Sequence, residues 1–126
     1  MQTPWSPYYK INYWPAPAYG IYTNNIGHQE MKPVAERGPA YVLPHLLNRD
    51  AGNPKFNDVL IIGAGSGNDV QAARIFGADS IDAVEIDPVI QRLGMRDHPD
   101  QPYSDPRVIR HNDDGRSFLK KTDKQY

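Results

Sequence analysis

A glycine-rich turn and two acidic strand ends are the residues of this sequence whose types and spacing can do chemistry. The turn reads Gly63-Ala64-Gly65-Ser66-Gly67-Asn68 and directly follows the aliphatic run Val59-Leu60-Ile61-Ile62. Glycines there let the backbone turn tightly and approach a ligand without Cβ clashes, and the helix that follows presents free N–H groups to it. About twenty residues on, Glu85-Ile86 closes a second aliphatic run, where a carboxylate can accept hydrogen bonds from both ribose hydroxyls of a nucleoside and disfavours a 2′-phosphate. A third run ends at Asp113-Asp114-Gly115, on the same edge of the implied sheet. Asp114 is equally suited to accept from an adenine amino group or to cap the next helix. The candidate cofactor-binding set is therefore Gly63, Ala64, Gly65, Ser66, Gly67, Glu85, Ile86, Asp113, Asp114 and Gly115.

Asn68 stands where a dinucleotide fingerprint has its third glycine. That departure favours an adenosyl nucleoside without pyrophosphate over NAD. S-adenosylmethionine or its decarboxylated form is the expected cofactor, with methylthioadenosine as product or analogue. Two rival readings stay open: an NAD-binding oxidoreductase domain, and a non-catalytic assembly fragment in which the glycines serve only a tight turn. Asp87 reads as a helix cap. His45, His98 and His111 lack metal-ligand spacing and read as surface or core histidines, so no metal site is expected. No catalytic residue can be assigned.

The elements that must position these residues form an α/β alternation. Asp58–Ile62 reads as a strand buried on both faces, followed by a helix over Asp69–Phe76 that Gly77 stops. Ile81–Ile86 is a second strand, and Asp87 with Pro88 opens a helix that ends near Gly94. A proline-rich loop, His98 to Pro106, leads to a third strand at Arg107–His111, and a last helix runs from Asp114 through Phe118 and Leu119. This pattern predicts a partial Rossmann-like parallel sheet of order 3-2-1 with right-handed crossovers. Upstream, Tyr8–Trp14 and Ala18–Thr23 predict a small β-hairpin around Pro15-Ala16-Pro17. Asn24-Asn25 marks a further turn, and Pro39–Asn48 a short helix. Composition shifts near Gly52–Asn57 and divides the chain into an N-terminal segment, 1–52, and an adenosyl-cofactor-binding domain, 53–126.

The chain has 126 residues, a net charge of −1 and no cysteine. The charge gives no general pull toward nucleic acid, and disulfides and thiolate chemistry are excluded. No run approaches the roughly 20 apolar residues of a membrane span, and no secretory signal opens the chain, so a cytoplasmic, soluble protein is expected.

With these residues in hand, the sequence resembles the spermidine synthase (polyamine aminopropyltransferase) family within the class I methyltransferase-like fold. The resemblance rests on Ser6–Ile11, His28-Gln29-Glu30-Met31, Val84-Glu85-Ile86-Asp87-Pro88, Asp105-Pro106-Arg107-Val108 and Asp114-Gly115-Arg116-Ser117-Phe118-Leu119. It implies a transferase that binds an adenosyl cofactor, with Gly63, Gly65 and Gly67 around the cofactor tail, Glu85 on the ribose, and Asp114 with Gly115 at the adenine. Ser66 departs from the aspartate usual in that family, Tyr9 from a glutamine and His28 from a tyrosine. The set resembles a divergent spermidine synthase-like branch often fused to membrane-spanning segments, absent here. The resemblance further implies that a fourth strand, carrying a catalytic aspartate and the amine-acceptor pocket, lies beyond Tyr126. The chain by itself is therefore expected to be inactive. It is also expected to form a homo-oligomer through the sheet edge left unpaired.

Overall fold

A computed structural model describes residues 1–126. The segment from Asp58 onward folds into the α/β alternation read from the sequence. Strands β4 (Asp58–Ile62), β5 (Ser80–Glu85) and β6 (Val108–Asn112) pair in parallel in the order β4-β5-β6, the predicted 3-2-1 arrangement. Helix α2 (Asn68–Ile75) joins β4 to β5, α3 (Pro88–Asp97) joins β5 to β6, and α4 (Gly115–Lys121) follows β6. One expectation needs correction. The strand buried on both faces is β5, whose Ile81 to Glu85 are all buried, whereas β4 is an edge strand with Ile62 51% exposed. An uninterrupted aliphatic run marks a strand as apolar, not as central.

Period-two alternation divides β5 between two environments. Ile81 and Ala83 point toward α2, where they pack with Val70, Ala73 and Ala78. Small alanines on both elements let helix and sheet approach closely. Asp82 faces the other side. It accepts hydrogen bonds from Lys124 Nζ at 2.8 Å and Tyr126 Oη at 3.2 Å, and lies 2.7 Å from His111 Nε2. Burial alone would raise its pKa, but the Lys124 and His111 contacts bring it below the usual carboxylate value. Lys124 also reaches Asp58 at 3.1 Å, so the residues after α4 are fastened across β4 and β5.

The N-terminal segment is a three-stranded antiparallel sheet rather than a hairpin. Strands β1 (Ile11–Trp14) and β2 (Gly20–Thr23) match the two predicted, and β3 (Ile26–Glu30) adds a third. Asn24 and Asn25 both adopt positive φ, the conformation a two-residue hairpin turn requires. The sequence Ile-Gly-His-Gln-Glu of β3 carries no apolar alternation because the strand is mostly exposed. The predicted helix over Pro39–Asn48 divides into a 3-10 turn, Pro39–Tyr41, and helix α1 (Leu43–Asp50), with Pro44 tolerated in its first turn. The apolar face of the N-terminal sheet, Ile11, Tyr13, Ile21 and Met31, packs on Val89, Ile90 and Leu93 of α3. Tyr13 Oη donates to Asp97 at 2.6 Å at the same junction. No helix is long and apolar enough to cross a membrane.

Candidate nucleoside site

The site begins where β4 ends. Gly63, Gly65 and Gly67 adopt φ of 76°, 56° and 104°, a region costly for any residue with a Cβ. The N–H groups of Gly63 and Ala64 both donate to Val84 O, at 2.9 and 3.0 Å, which ties the turn to the end of β5. The three glycines face different surroundings. A Cβ at Gly63 would meet nothing within 4 Å, one at Gly67 would strike Pro102, and one at Gly65 would run into the Gln29 amide. Only Gly63 opens onto free space.

Glu85 is the anchor of the arrangement. Its carboxylate is 7% exposed; one oxygen accepts from Gly65 N at 2.8 Å and the other from Asp87 N at 2.8 Å. Both bonds come from backbone, so the charge is held at the strand end whatever else is bound, and each oxygen keeps a further lone pair. Tyr103 Oη donates to Gly65 O at 2.7 Å; burial, with the nearby Glu85 charge adding, pushes its hydroxyl pKa up and keeps it a donor. Asp87 is the expected cap. It is fully buried and accepts from Val89 N and Ile90 N at 2.8 and 3.2 Å.

At the end of β6, Asn112 Nδ2 donates to Glu85 O at 2.9 Å and Ile86 O at 3.1 Å, which fixes the two strand ends side by side. Asp113 pairs with Lys121 at 2.9 Å, and this hydrogen bond holds its carboxyl below the usual range. Asp114 is exposed and accepts from Ser117 N at 2.9 Å through one oxygen, as a helix cap. Gly115 meets the Ile62 side chain, with no room for a Cβ.

The structure thus gathers the backbone of the turn, Glu85, Ile86 and Asp113–Gly115 along one sheet edge. Two members of the set turn their side chains away. Ala64 belongs to the core under α2, and Ser66 is fully buried with its Oγ unpartnered, so both contribute backbone only. Sequence reasoning missed Gln29, Asn112, Arg37 and Tyr103, which build the walls of the site from other elements. Gln29 lies inside a motif already singled out, but nothing in a lone sequence says that β3 crosses the glycine turn. A cleft of about 630 Å³ opens on that side, lined by Trp14, Tyr22, His28, Gln29, Glu30 and Glu36 among others. Nowhere do three or more His, Asp or Glu side chains gather in a group that could hold a metal ion.

No family model matches the chain. In sequence it is similar to the polyamine aminopropyltransferase of Alkaliphilus oremlandii (strain OhILAs), 35% identical over 79 residues, covering 60% of this chain and 28% of that protein. It is also similar to the polyamine aminopropyltransferase of Vibrio vulnificus (strain CMCP6), 39% identical over 70 residues, covering 55% and 23%. The chain thus spans about a quarter of the length of these curated relatives. In fold it matches a solved probable spermidine synthase from Corynebacterium glutamicum with a TM-score of 0.62. That match covers 96% of this chain and 47% of the other at 18% identity, a likeness of fold alone. Over the stretch these comparisons span, the chain is related to the spermidine synthase-like, or polyamine aminopropyltransferase, family.

Proposed function

We propose that this chain is the adenosyl-cofactor-binding portion of a spermidine synthase-like transferase, taking S-adenosylmethionine or its decarboxylated form. The observation that carries the reading is the buried Glu85 carboxylate, held by two backbone N–H groups at the C-terminal end of the central strand. Open α/β sheets bind nucleosides at that position. The residues fit the group. Glu85 has lone pairs left for the ribose 2′- and 3′-hydroxyls, Gly63 leaves free space at the turn, and Asp114 keeps one oxygen for the adenine amino group. The 5′ substituent then lies over the glycine turn. Pro102 against Gly67 and Gln29 against Gly65 leave this turn poorly suited to a pyrophosphate, which disfavours the NAD reading.

When bound, the cofactor supplies a sulfonium-activated carbon for transfer to an amine. This chain's part is to orient it: Glu85 fixes the ribose, and the turn and Asp114 fix its two ends. The cleft beside Gln29 carries Trp14 and Tyr22 with ring centroids 4.7 Å apart and the acid Glu36, while Glu30 is paired with Lys32 at 3.0 Å and Arg37 lines the same wall. The two aromatic faces with Glu36 suit a cationic amine acceptor.

Calorimetric titration with methylthioadenosine, and with NAD as control, tests the proposal. Methylthioadenosine is expected to bind and NAD not to. Asp114→Asn keeps the helix cap yet puts an amide where the adenine acceptor stands, so it is expected to weaken methylthioadenosine about ten-fold at unchanged stability. Binding of NAD in preference to methylthioadenosine would overturn the reading.

A further inference from the structure

Of the eight arginines in the chain, five are paired with a carboxylate, Arg96 with Asp97 at 2.6 Å and Arg107 with Asp105 at 2.8 Å among them. Arg92 and Arg110 are two of the three that are not, and both stand at the same margin of the parallel sheet. Arg110 lies on β6 and reaches across to α3, where its Nη1 meets the Met95 sulfur at 2.6 Å, a weak acceptor in place of an acid. Arg92 lies one turn before Met95 on α3 and is exposed. A guanidinium presents its donors in a planar fork that matches a carboxylate, and these two forks are unspent.

Strand β6 is also an edge. It pairs with β5 alone, so no strand takes up the N–H and C=O groups along its outer side. Its side chains alternate: Val108 and Arg110 turn to the side of α2 and α3, and Ile109, 50% exposed, turns to the opposite face. A segment laid beside β6 sets every second side chain against the arginines and those between against Ile109. The two edges of the sheet differ in charge. Strand β4 carries Asp58 and no cation, whereas β6 carries Arg110 and no acid. The acids that follow β6 are engaged elsewhere, Asp113 with Lys121 and Asp114 as the cap of α4.

We propose that the outer edge of β6 docks an extended peptide segment in which acidic and apolar residues alternate. Main-chain hydrogen bonds to β6 hold the segment as an added strand, a carboxylate beside Arg110 and Arg92 selects it by charge, and an aliphatic side chain covers Ile109. A nucleic acid would answer to the arginines but would leave both the strand's hydrogen-bonding groups and Ile109 unused, which favours a peptide. The surface lies away from the glycine turn, which follows β4 at the sheet's other edge, and it stands whether or not a nucleoside binds there.

Fluorescence anisotropy of the full chain with a short labelled peptide of alternating valine and glutamate tests this. At low ionic strength the peptide is expected to bind about ten-fold more tightly than its valine–lysine counterpart, and to weaken as salt is raised. Two adjacent prolines at its centre remove a main-chain donor facing β6 and should weaken it about ten-fold, which ion pairing alone would not do. Arg110→Glu and Arg92→Glu, exposed positions on different elements, should each lower the affinity about ten-fold. An acidic peptide that binds no better than the basic one, is indifferent to the prolines, or keeps its affinity in both variants would overturn the proposal. Tighter binding of a single-stranded oligothymidylate would overturn it in favour of a nucleic-acid surface, and absence of any binding would overturn it outright.

Discussion

The guanidinium of Arg37 and the imidazole of His98 meet 2.9 Å apart in the interior, a cation against a ring that must stay neutral. The backbone N–H of Asp100 donates to His98 Nδ1 at 3.1 Å, so the ring carries its proton on Nε2, which faces Asn68 Oδ1 at 3.0 Å. Arg37 donates to Lys32 O, to Asn68 O at 2.8 Å and to Asp100 at 3.5 Å. Asn68 Nδ2 completes the knot by donating to Glu30 O at 3.1 Å. The segment following β3 is thereby bolted to the first residue of α2, immediately beyond the glycine turn.

Arg37 is the hub, with its side chain 4% exposed, and burial lowers its pKa against the opposing pull of Asp100. Arg37→Ala leaves the buried carbonyls of Lys32 and Asn68 without their donor and removes the ion pair with Asp100. It is expected to destabilise the fold by about 3 kcal/mol in urea denaturation. Arg37→Lys should recover less than half of that, because an ammonium cannot reach several acceptors at once.

Burial, reinforced by the Arg37 charge, lowers the pKa of His98 to about 4. The unfolded chain, with an ordinary histidine value near 6.5, then binds more protons than the folded one between those two pH values. Stability accordingly rises with pH across this window and falls as the solution is acidified from about pH 6.5 to 4, by on the order of 3 kcal/mol. His45 is lowered by burial as well and adds to the slope. Comparing urea midpoints of the unaltered chain and His98→Gln across the window isolates His98, whose replacement should flatten most of the slope.

Gly63 is the glycine of the turn whose Cβ side is open. Gly63→Ala is expected to cost about 1 kcal/mol from its φ of 76° and to clash with nothing in the protein. The new methyl projects into the space assigned to the nucleoside, so methylthioadenosine affinity should fall further than stability does. Thermal melting and calorimetry on the same variant separate the two effects.

Strand β4 pairs only with β5; its last residue, Ile62, and Phe56 just before the strand, 41% exposed, are both open to solvent. An unpaired apolar edge of this kind is a template for another strand. The chain is expected to self-associate at micromolar concentration in light scattering. Ile62→Lys, which places a charge at that edge, should shift it toward monomer. A monomeric unaltered chain would count against association through β4.

How much of this was legible in the sequence depended on what each residue answers to. The parallel sheet, its order and the caps Asp87 and Asp114 follow from local rules: aliphatic runs, glycine after a strand, and an acid before a helix. Glu85 was legible because its place at a strand end is dictated by the chain on either side. Gln29 was not, since its role depends on β3 crossing a turn 37 residues later in sequence. Asn68 shows the limit most clearly. Its departure from glycine pointed to the cofactor, yet its side chain is buried and spent on Glu30 and His98, so it serves the attachment of the N-terminal segment. A departure from a motif can thus answer to a neighbour rather than to a ligand.

The packing of Ile11, Tyr13, Ile21 and Met31 against Val89, Ile90 and Leu93 bears on the order in which the protein comes into being. The ribosome delivers β1, β2 and β3 before α3, and their apolar face has no cover until residues 88–97 have emerged. Three short strands with one greasy side are marginal by themselves. The N-terminal sheet is therefore made well before it is secured, and it waits, open to chaperones and proteases, for α3 to emerge.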